Sequence, residues 1–260
     1  MRKNNKKISV CMAVYNGADF LKDQLDSILP QLLPNDEIII VNDCSTDCSI
    51  EIIKKYNDTR IKVFSNPKNL GYVKSFEKAI SLAQNEFIFL SDQDDIWINN
   101  RVDLMLEKLK YKPVVVGGTI NFNNKEKIEI KKINSFYVRQ SYIMEIFKSL
   151  IGYKVYTKPG CATAFCSDIR RVLLPFPKNV TYRNLCPHDL WLSLYASVFD
   201  ADYYFTEPVL FHRIHNSNTS FTKRRDLTVL VIDRINRILC IIILFYRMYR
   251  LKFYNKNILS

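Results

Sequence analysis

Asp92, Asp94 and Asp95 stand in the run Ser91-Asp92-Gln93-Asp94-Asp95-Ile96-Trp97, directly after the mostly apolar residues 86–90. Where a strand continues, residues two apart point to the same side, so Asp92 and Asp94 can present both carboxylates to one site. Like charges held that close repel and raise one another's pKa. Mg²⁺ or Mn²⁺ relieves the strain, because both take oxygen ligands, often one or two carboxylates together with substrate phosphates. A bare Asp-X-Asp is more often an exposed acidic turn, so its context has to decide.

Such carboxylates need a scaffold that gathers strand ends, and the first half of the chain reads as one. Ile8–Val14 is a short apolar run with β-branched residues, closed by Asn16-Gly17, and is predicted to be a buried strand. Leu21, Leu25, Ile28 and Leu32 recur at helical spacing. Residues 37–41 predict a second buried strand, ending in Asn42-Asp43-Cys44-Ser45-Thr46-Asp47. A short helix over 50–55 and a strand over Ile61–Ser65 follow. Phe76, Ala79, Ile80 and Ala83 mark a helix before the strand at 86–90, and Val102, Met105, Leu106 and Leu109 mark one after it. Strands separated by helices of this length make βαβ units and a mostly parallel sheet. Ligands of such sheets bind beyond the carboxyl ends of the strands, where the polar clusters fall.

The second half is less regular. Val114–Phe122 is strand-like, 123–134 is a charged loop or hairpin, and 138–150 has a helical pattern. Pro159-Gly160-Cys161 precedes another apolar stretch, and Pro187-His188-Asp189 opens a helix with Leu190, Trp191, Leu194 and Tyr195 on one side. Residues 203–211 read as a strand running into His212-Arg213-Ile214-His215-Asn216. The chain divides into a basic tail (1–7), two halves of one α/β domain (8–112 and 113–225) and a basic, apolar carboxyl-terminal helical extension (226–260).

The net charge of +12 is concentrated at the two ends. Arg2, Lys3, Lys6 and Lys7 lie in the first seven residues, and nine Lys/Arg face only Asp226 and Asp233 after Thr222. A nucleic-acid reader would carry its positive charge on the folded body, which here is nearly neutral; basic ends suit an anionic membrane surface instead. Seven cysteines in no tight zinc spacing read as buried, reduced thiols of a cytoplasmic protein. The basic start runs straight into a strand-like segment, so no secretory leader is expected.

Several motifs stand in one order: Val14-Tyr15-Asn16-Gly17, Asn42-Asp43-Cys44-Ser45-Thr46-Asp47, Asn69-Leu70-Gly71 and the Asp92–Asp95 run. Gly160-Cys161-Ala162, His188-Asp189-Leu190-Trp191 and His212-Arg213-Ile214-His215 complete it. This succession resembles the family 2 glycosyltransferases of GT-A fold, and most of all the bacterial branch that transfers rhamnose and similar sugars in surface-polysaccharide assembly. The match spans roughly residues 8 to 220 and is strongest in the first half.

The resemblance implies an inverting, Mn²⁺- or Mg²⁺-dependent transfer from a nucleotide-sugar, either dTDP-rhamnose or a UDP-sugar. The acceptor would be the hydroxyl of a glycan or lipid-linked glycan. By the same resemblance Ala13, Tyr15 and Asn16 line the nucleotide pocket, Asp43 accepts a hydrogen bond from the base, and Asp47 lies nearby in a turn. Asp92 contacts the ribose or the metal shell, Asp94 binds the metal, Asp95 stands behind it, and His215 reaches back to metal or diphosphate. Gly160 and Cys161 form the loop where donor sugar meets acceptor. Asp189 takes the proton from the acceptor hydroxyl; an N-cap role is open to the same residue. The family often has Glu-Asp where this chain has His188-Asp189, which leaves the part played by His188 open. The polar clusters could also be ordinary turns, the two histidines solvated loop residues, and Trp97 and Trp191 core residues rather than sugar platforms.

Residues 238–246 are uncharged and flanked by Arg234, Arg237, Arg247 and Arg250. Nine residues are too few to span a bilayer, which needs about 20. Charges do not gather on one side of a helical wheel, yet the apolar centre and basic flanks suit peripheral docking on the inner face of the plasma membrane. Packing on this chain or on a second subunit, as in a homodimer, is the alternative. Two rival functions are a nucleotidyltransferase that makes nucleotide-sugars and a non-catalytic, membrane-associated adaptor of the same fold. The first should show a Gly-rich, basic loop after the first strand, where Tyr15-Asn16-Gly17-Ala18-Asp19 stands. The retained Asp92, Asp94 and Asp189 argue against the second.

Overall fold

The structure, a computed structural model, describes residues 5–123, 159–177, 187–215 and 227–258. The loop or hairpin expected at 123–134 (beyond Asn123) and the helix expected at 138–150 lie outside the described residues. Strands β1 (Ile8–Val14), β2 (Glu37–Asn42), β3 (Ile61–Ser65) and β4 (Phe87–Ser91) alternate with helices α1 (Ala18–Ile28), α2 (Ser49–Lys55) and α3 (Tyr72–Leu82). These strands pair in parallel in the order β3-β2-β1-β4, as right-handed βαβ units require.

Beyond β4 the sheet continues through β7 (Thr163–Cys166), β6 (Val114–Phe122), β8 (Asp202–Arg213) and the two-residue β5 (Ile96–Trp97). The sheet is mostly parallel, as expected, and its antiparallel pairings fall in this part. β7 is antiparallel to both β4 and β6, β6 and β8 are parallel, and β5 is antiparallel to β8. Helix α4 (Arg101–Lys108) follows β5, a helical turn α5 (Arg170–Leu173) follows β7, and helices α6 (His188–Val198) and α7 (Leu227–Ile258) complete the described fold.

Side-chain alternation along the inner strands divides the core into two layers. Cys11, Ile39, Val41, Ile88 and Leu90 face α3, α6 and α7. Val10, Met12, Ile38, Ile40, Phe87 and Phe89 face α1 and α4, through Leu21, Leu25, Val102 and Met105. With β1, β2 and β4 covered on both sides, their sequences are nearly continuous apolar runs. Trp97 and Trp191 are buried in this core, Trp191 donating from Nε1 to the Leu173 carbonyl at 3.1 Å, so neither is a sugar platform. The thiol expectation holds for Cys11, Cys161 and Cys240, which are buried and in no disulfide; Cys44 and Cys48 are in no disulfide but exposed.

Candidate active site

Because β1 to β4 are parallel, the segments after Val14, Asn42, Ser65 and Ser91 emerge at one edge of the sheet. Two antiparallel pairings bring second-half residues to the same edge. Phe89 pairs with Ala164, which puts the turn Gly160–Ala162 beside the end of β4. Ile96 pairs with Phe211, which sets His212 and Arg213 beside Asp95.

At that edge the carboxylates of Asp92, Asp94 and Asp95 come within 4.8 Å of one another. Burial and the charges of Asp95 and Asp94 hold Asp92 well above the usual carboxylate range. Burial and Asp95 likewise raise Asp94, against the pull of His215. Three hard oxygen donors that repel one another are what a divalent cation stabilises, so the residues fit Mg²⁺ or Mn²⁺.

The end of β8 embraces this cluster. His215 Nε2 lies 2.8 Å from Asp94 Oδ2, with its ring stacked on Phe20 at 4.7 Å. His212 Nδ1 lies 2.9 Å from Asp95 Oδ1, which also accepts the Arg213 backbone N–H. Burial alone would depress His212, but its bond to Asp95 and the nearby negative charges outweigh that and lift it to about 9. Buried Arg213 donates from Nε to the Asp94 carbonyl at 2.8 Å and from Nη2 to Asp23 at 2.9 Å.

On the donor side, Ala13 is the penultimate residue of β1 and Tyr15 is exposed just beyond it. The Gln93 side chain bridges Tyr15, accepting its N–H at 2.9 Å and donating to its carbonyl at 3.1 Å. A Cβ on Gly17 would come within 2.5 Å of that amide and displace it from Tyr15. Asn16, at φ 47°, accepts from Thr46 N–H at 2.8 Å and donates its own N–H to Ser45 Oγ at 3.0 Å, so the loops after β1 and β2 are stitched together. Asp43 is buried and turned towards the loop 69–71, accepting from Leu70 N–H, Gly71 N–H and Asn66 Nδ2, each at 2.8 Å. Asp47 joins Ala18 N–H to Ser49 and closes the same layer.

Across the edge, Asp189 is the second residue of α6, after Pro187 at the N-cap. It is therefore not the N-cap that its sequence position allowed, although Oδ1 accepts the Leu190 N–H at 2.7 Å. Burial raises its carboxyl to about 6, against the pull of backbone N–H groups. Asp189 is close enough to add its charge to the raising of Asp92. A Cβ on Gly160 would meet His188 Nε2 at 3.0 Å and Asp189 Cβ at 3.2 Å, so glycine lets the turn approach α6. His188 is buried and stacked on Phe76 at 4.0 Å; desolvation lowers it to about 3, which keeps the ring neutral. Cys161 is buried beneath, its thiol pushed up by burial and the charges of Asp95 and Asp92.

Sequence reasoning passed over Gln93, Arg101 and Arg213. Arg101 is fully buried, stacked over Trp97 at 4.0 Å, and donates from Nη2 to the carbonyls of Leu90 and Cys161 at 3.1 and 2.6 Å. Burial lowers it to about 10, so it remains a cation behind the acidic cluster. A lone charge on the apolar face of the 102–109 helix pattern was the available signal. Arg213 was in view between two candidate histidines.

The sequence pattern of Glycosyl transferase family 2 matches residues 9–174. The chain belongs to this family. It is a glycosyltransferase, and its curled sheet with flanking helices is the GT-A fold. Among its relatives is TuaG of Bacillus subtilis, a glycosyltransferase named for teichuronic acid biosynthesis, 27% identical over 219 residues, covering 83% of this chain and 82% of TuaG. Another is WfaP of Escherichia coli, a UDP-Glc:alpha-D-GlcNAc-diphosphoundecaprenol beta-1,3-glucosyltransferase, 26% identical over 228 residues, covering 85% of this chain and 82% of WfaP. In structure, family 2 chain and S. aureus TarS residues 1–349 in complex with UDP-GlcNAc superpose with a TM-score of 0.61 at 15% identity, over 94% of this chain and 73% of that one. The UDP complex of the same TarS fragment gives 0.59 at 20% identity over 80% of this chain, which spans 60% of that fragment.

Proposed function

We propose that this glycosyltransferase is an inverting, divalent-cation-dependent enzyme that moves a sugar from a nucleotide diphosphate to a glycan hydroxyl during bacterial surface-polysaccharide assembly. The observation that carries the reading is the placement of Asp189, whose carboxyl burial raises, beside the Gly160 turn and near enough to the Asp92–Asp95 cluster to act on Asp92. One side offers a base and the other a place for the leaving diphosphate.

Asp94 and His215 would hold Mn²⁺ or Mg²⁺, with Asp92 towards the ribose; the cation supplies charge neutralisation for the departing nucleotide diphosphate. Tyr15 and Asn16 border the nucleotide, with Ala13 beneath. Asp43 shapes the base pocket through the loop it anchors. Asp189 accepts the proton of the acceptor hydroxyl as its oxygen attacks the anomeric carbon, and the glycosidic bond to the diphosphate breaks on the opposite side. Gly160 and Cys161 form the floor on which acceptor and donor sugar meet. The names of WfaP and the TarS complexes favour a uridine nucleotide donor, with dTDP-rhamnose as the comparison. The name of WfaP, with its diphosphoundecaprenol acceptor, favours a lipid-linked acceptor.

Calorimetry against uridine and thymidine diphosphates and their sugars, with and without Mn²⁺, tests the site on wild type and Asp94→Ala. Cation-dependent binding that Asp94→Ala abolishes supports the reading and names the nucleotide. A folded wild type that binds no nucleotide-sugar would overturn it in favour of an adaptor.

A further inference from the structure

Helix α7 carries its polarity the opposite way from an ordinary surface helix. Between Val231 and Tyr249 every exposed position is apolar or aromatic. Val231, Ile235, Ile238, Ile242, Phe245 and Tyr249, exposed by 44–68%, recur at alternating steps of four and three and form one stripe. At 1.5 Å per residue the stripe is about 28 Å long. Between Val231 and Tyr249, the charged Asp233, Arg237 and Arg247 are instead engaged within the protein. Asp233 is buried and paired with Arg237 at 2.9 Å, and Arg247 donates to the carbonyls of Val172, Leu173 and Pro175 at 2.7–3.0 Å. Cys240 and Leu244, fully buried against α5 and α6, fix the helix with this orientation.

A stripe of this size exceeds the scattered apolar exposure of a monomer and calls for a cover. Steps of four and three would also suit a coiled coil with a second copy. The framing charges decide between covers. Arg250 and Lys252 are exposed at one end of the stripe, and in sequence Lys223-Arg224-Arg225 come shortly before Leu227, where the helix starts. The only acids after Thr222 are Asp226 and Asp233, and Asp233 is used within the fold. A second copy would bring an equally basic segment against this one, with nine Lys/Arg to two Asp after Thr222 in each. An anionic bilayer meets both ends with opposite charge and takes the tyrosines at its headgroup level. No described helix is long and apolar enough to cross a membrane.

We propose that α7 lies in the plane of an anionic lipid bilayer, with the Val231–Tyr249 stripe buried at the boundary between headgroups and acyl chains. The inference rests on α7 alone and not on the chemistry assigned to the active site. Flotation of the full chain with phosphatidylcholine vesicles, with and without phosphatidylglycerol, tests it. The expected result is binding that needs phosphatidylglycerol, weakens at high salt, and falls about tenfold or more in the double variant Ile238→Glu, Ile242→Glu. The circular dichroism and nucleotide binding of that variant should match wild type, and Ile242→Leu should float normally. Light scattering in lipid-free buffer should give a monomer. Failure to float with anionic vesicles, or flotation that ignores the two glutamates, would overturn the proposal. So would a stable lipid-free dimer that the double variant splits, which would assign the stripe to a second copy.

Discussion

Asp189 combines two properties that pull against each other in a base: it must be ionised to accept a proton, yet its surroundings favour the neutral form. With its carboxyl raised to about 6, the ionised fraction grows as pH rises through that value. The expected kcat/KM profile therefore climbs along an acid limb near pH 6 and levels above it. Asp189→Asn should lower kcat by about 10²–10⁴-fold while leaving nucleotide binding intact, measured by turnover beside calorimetry. A second test uses His212. Its folded value of about 9 lies above the ordinary histidine value, so its contribution to stability is complete below about pH 6.5 and is lost as pH rises through about 9. Asp92 and Asp94, also raised, act in the same direction from lower pH. Cation-free protein should therefore unfold at lower urea near pH 9 than near pH 6, and His212→Gln should flatten that dependence.

At the scale of elements, the first half was readable because each element has a clean period and ends in a polar cluster. Ile8–Val14 alternates between two buried layers and still reads as one apolar run, because both faces are covered. The resemblance carried by the motif order named Asp92, Asp94, Asp189 and His215, and in the fold His215 bonds Asp94 while the charge of Asp189 reaches Asp92. What stayed hidden were side chains that join elements far apart in sequence. Arg101 reaches 60 residues along the chain to the Cys161 carbonyl, and neither local period nor composition encodes such a bond. The antiparallel β7 was equally hidden, since four residues carry too short a pattern to give direction. Arg101→Met should cost about 1–3 kcal/mol for each carbonyl left unpaired in urea unfolding, because two buried acceptors lose their donor at once. It should also raise KM for donor if the Leu90 and Cys161 strand ends drift apart.

For the molecule as a whole, one edge of the sheet holds the chemistry, while one layer of helices ends in α7. The carboxyl-terminal segment showed no clean amphipathic face on a helical wheel, because Asp233, Arg237 and Arg247 bond within the protein while apolar side chains face outward. Only knowing which side is covered reveals the stripe. Leu244, with no exposed surface, ties α7 to the body, and Leu244→Ala should cost about 2–5 kcal/mol of stability by chemical denaturation.

Gln93 is the letter that a D-x-D signature leaves blank. Its amide faces Tyr15 with a carbonyl and an N–H, as a neighbouring strand's peptide would. The ladder between β1 and β4 is thereby prolonged by one rung made from a side chain, after both backbones have parted. Glutamate would keep the acceptor and lose the donor, and asparagine would stop a methylene short. In this chain the unspecified position carries as definite a message as the two acids beside it: it is a forged peptide bond.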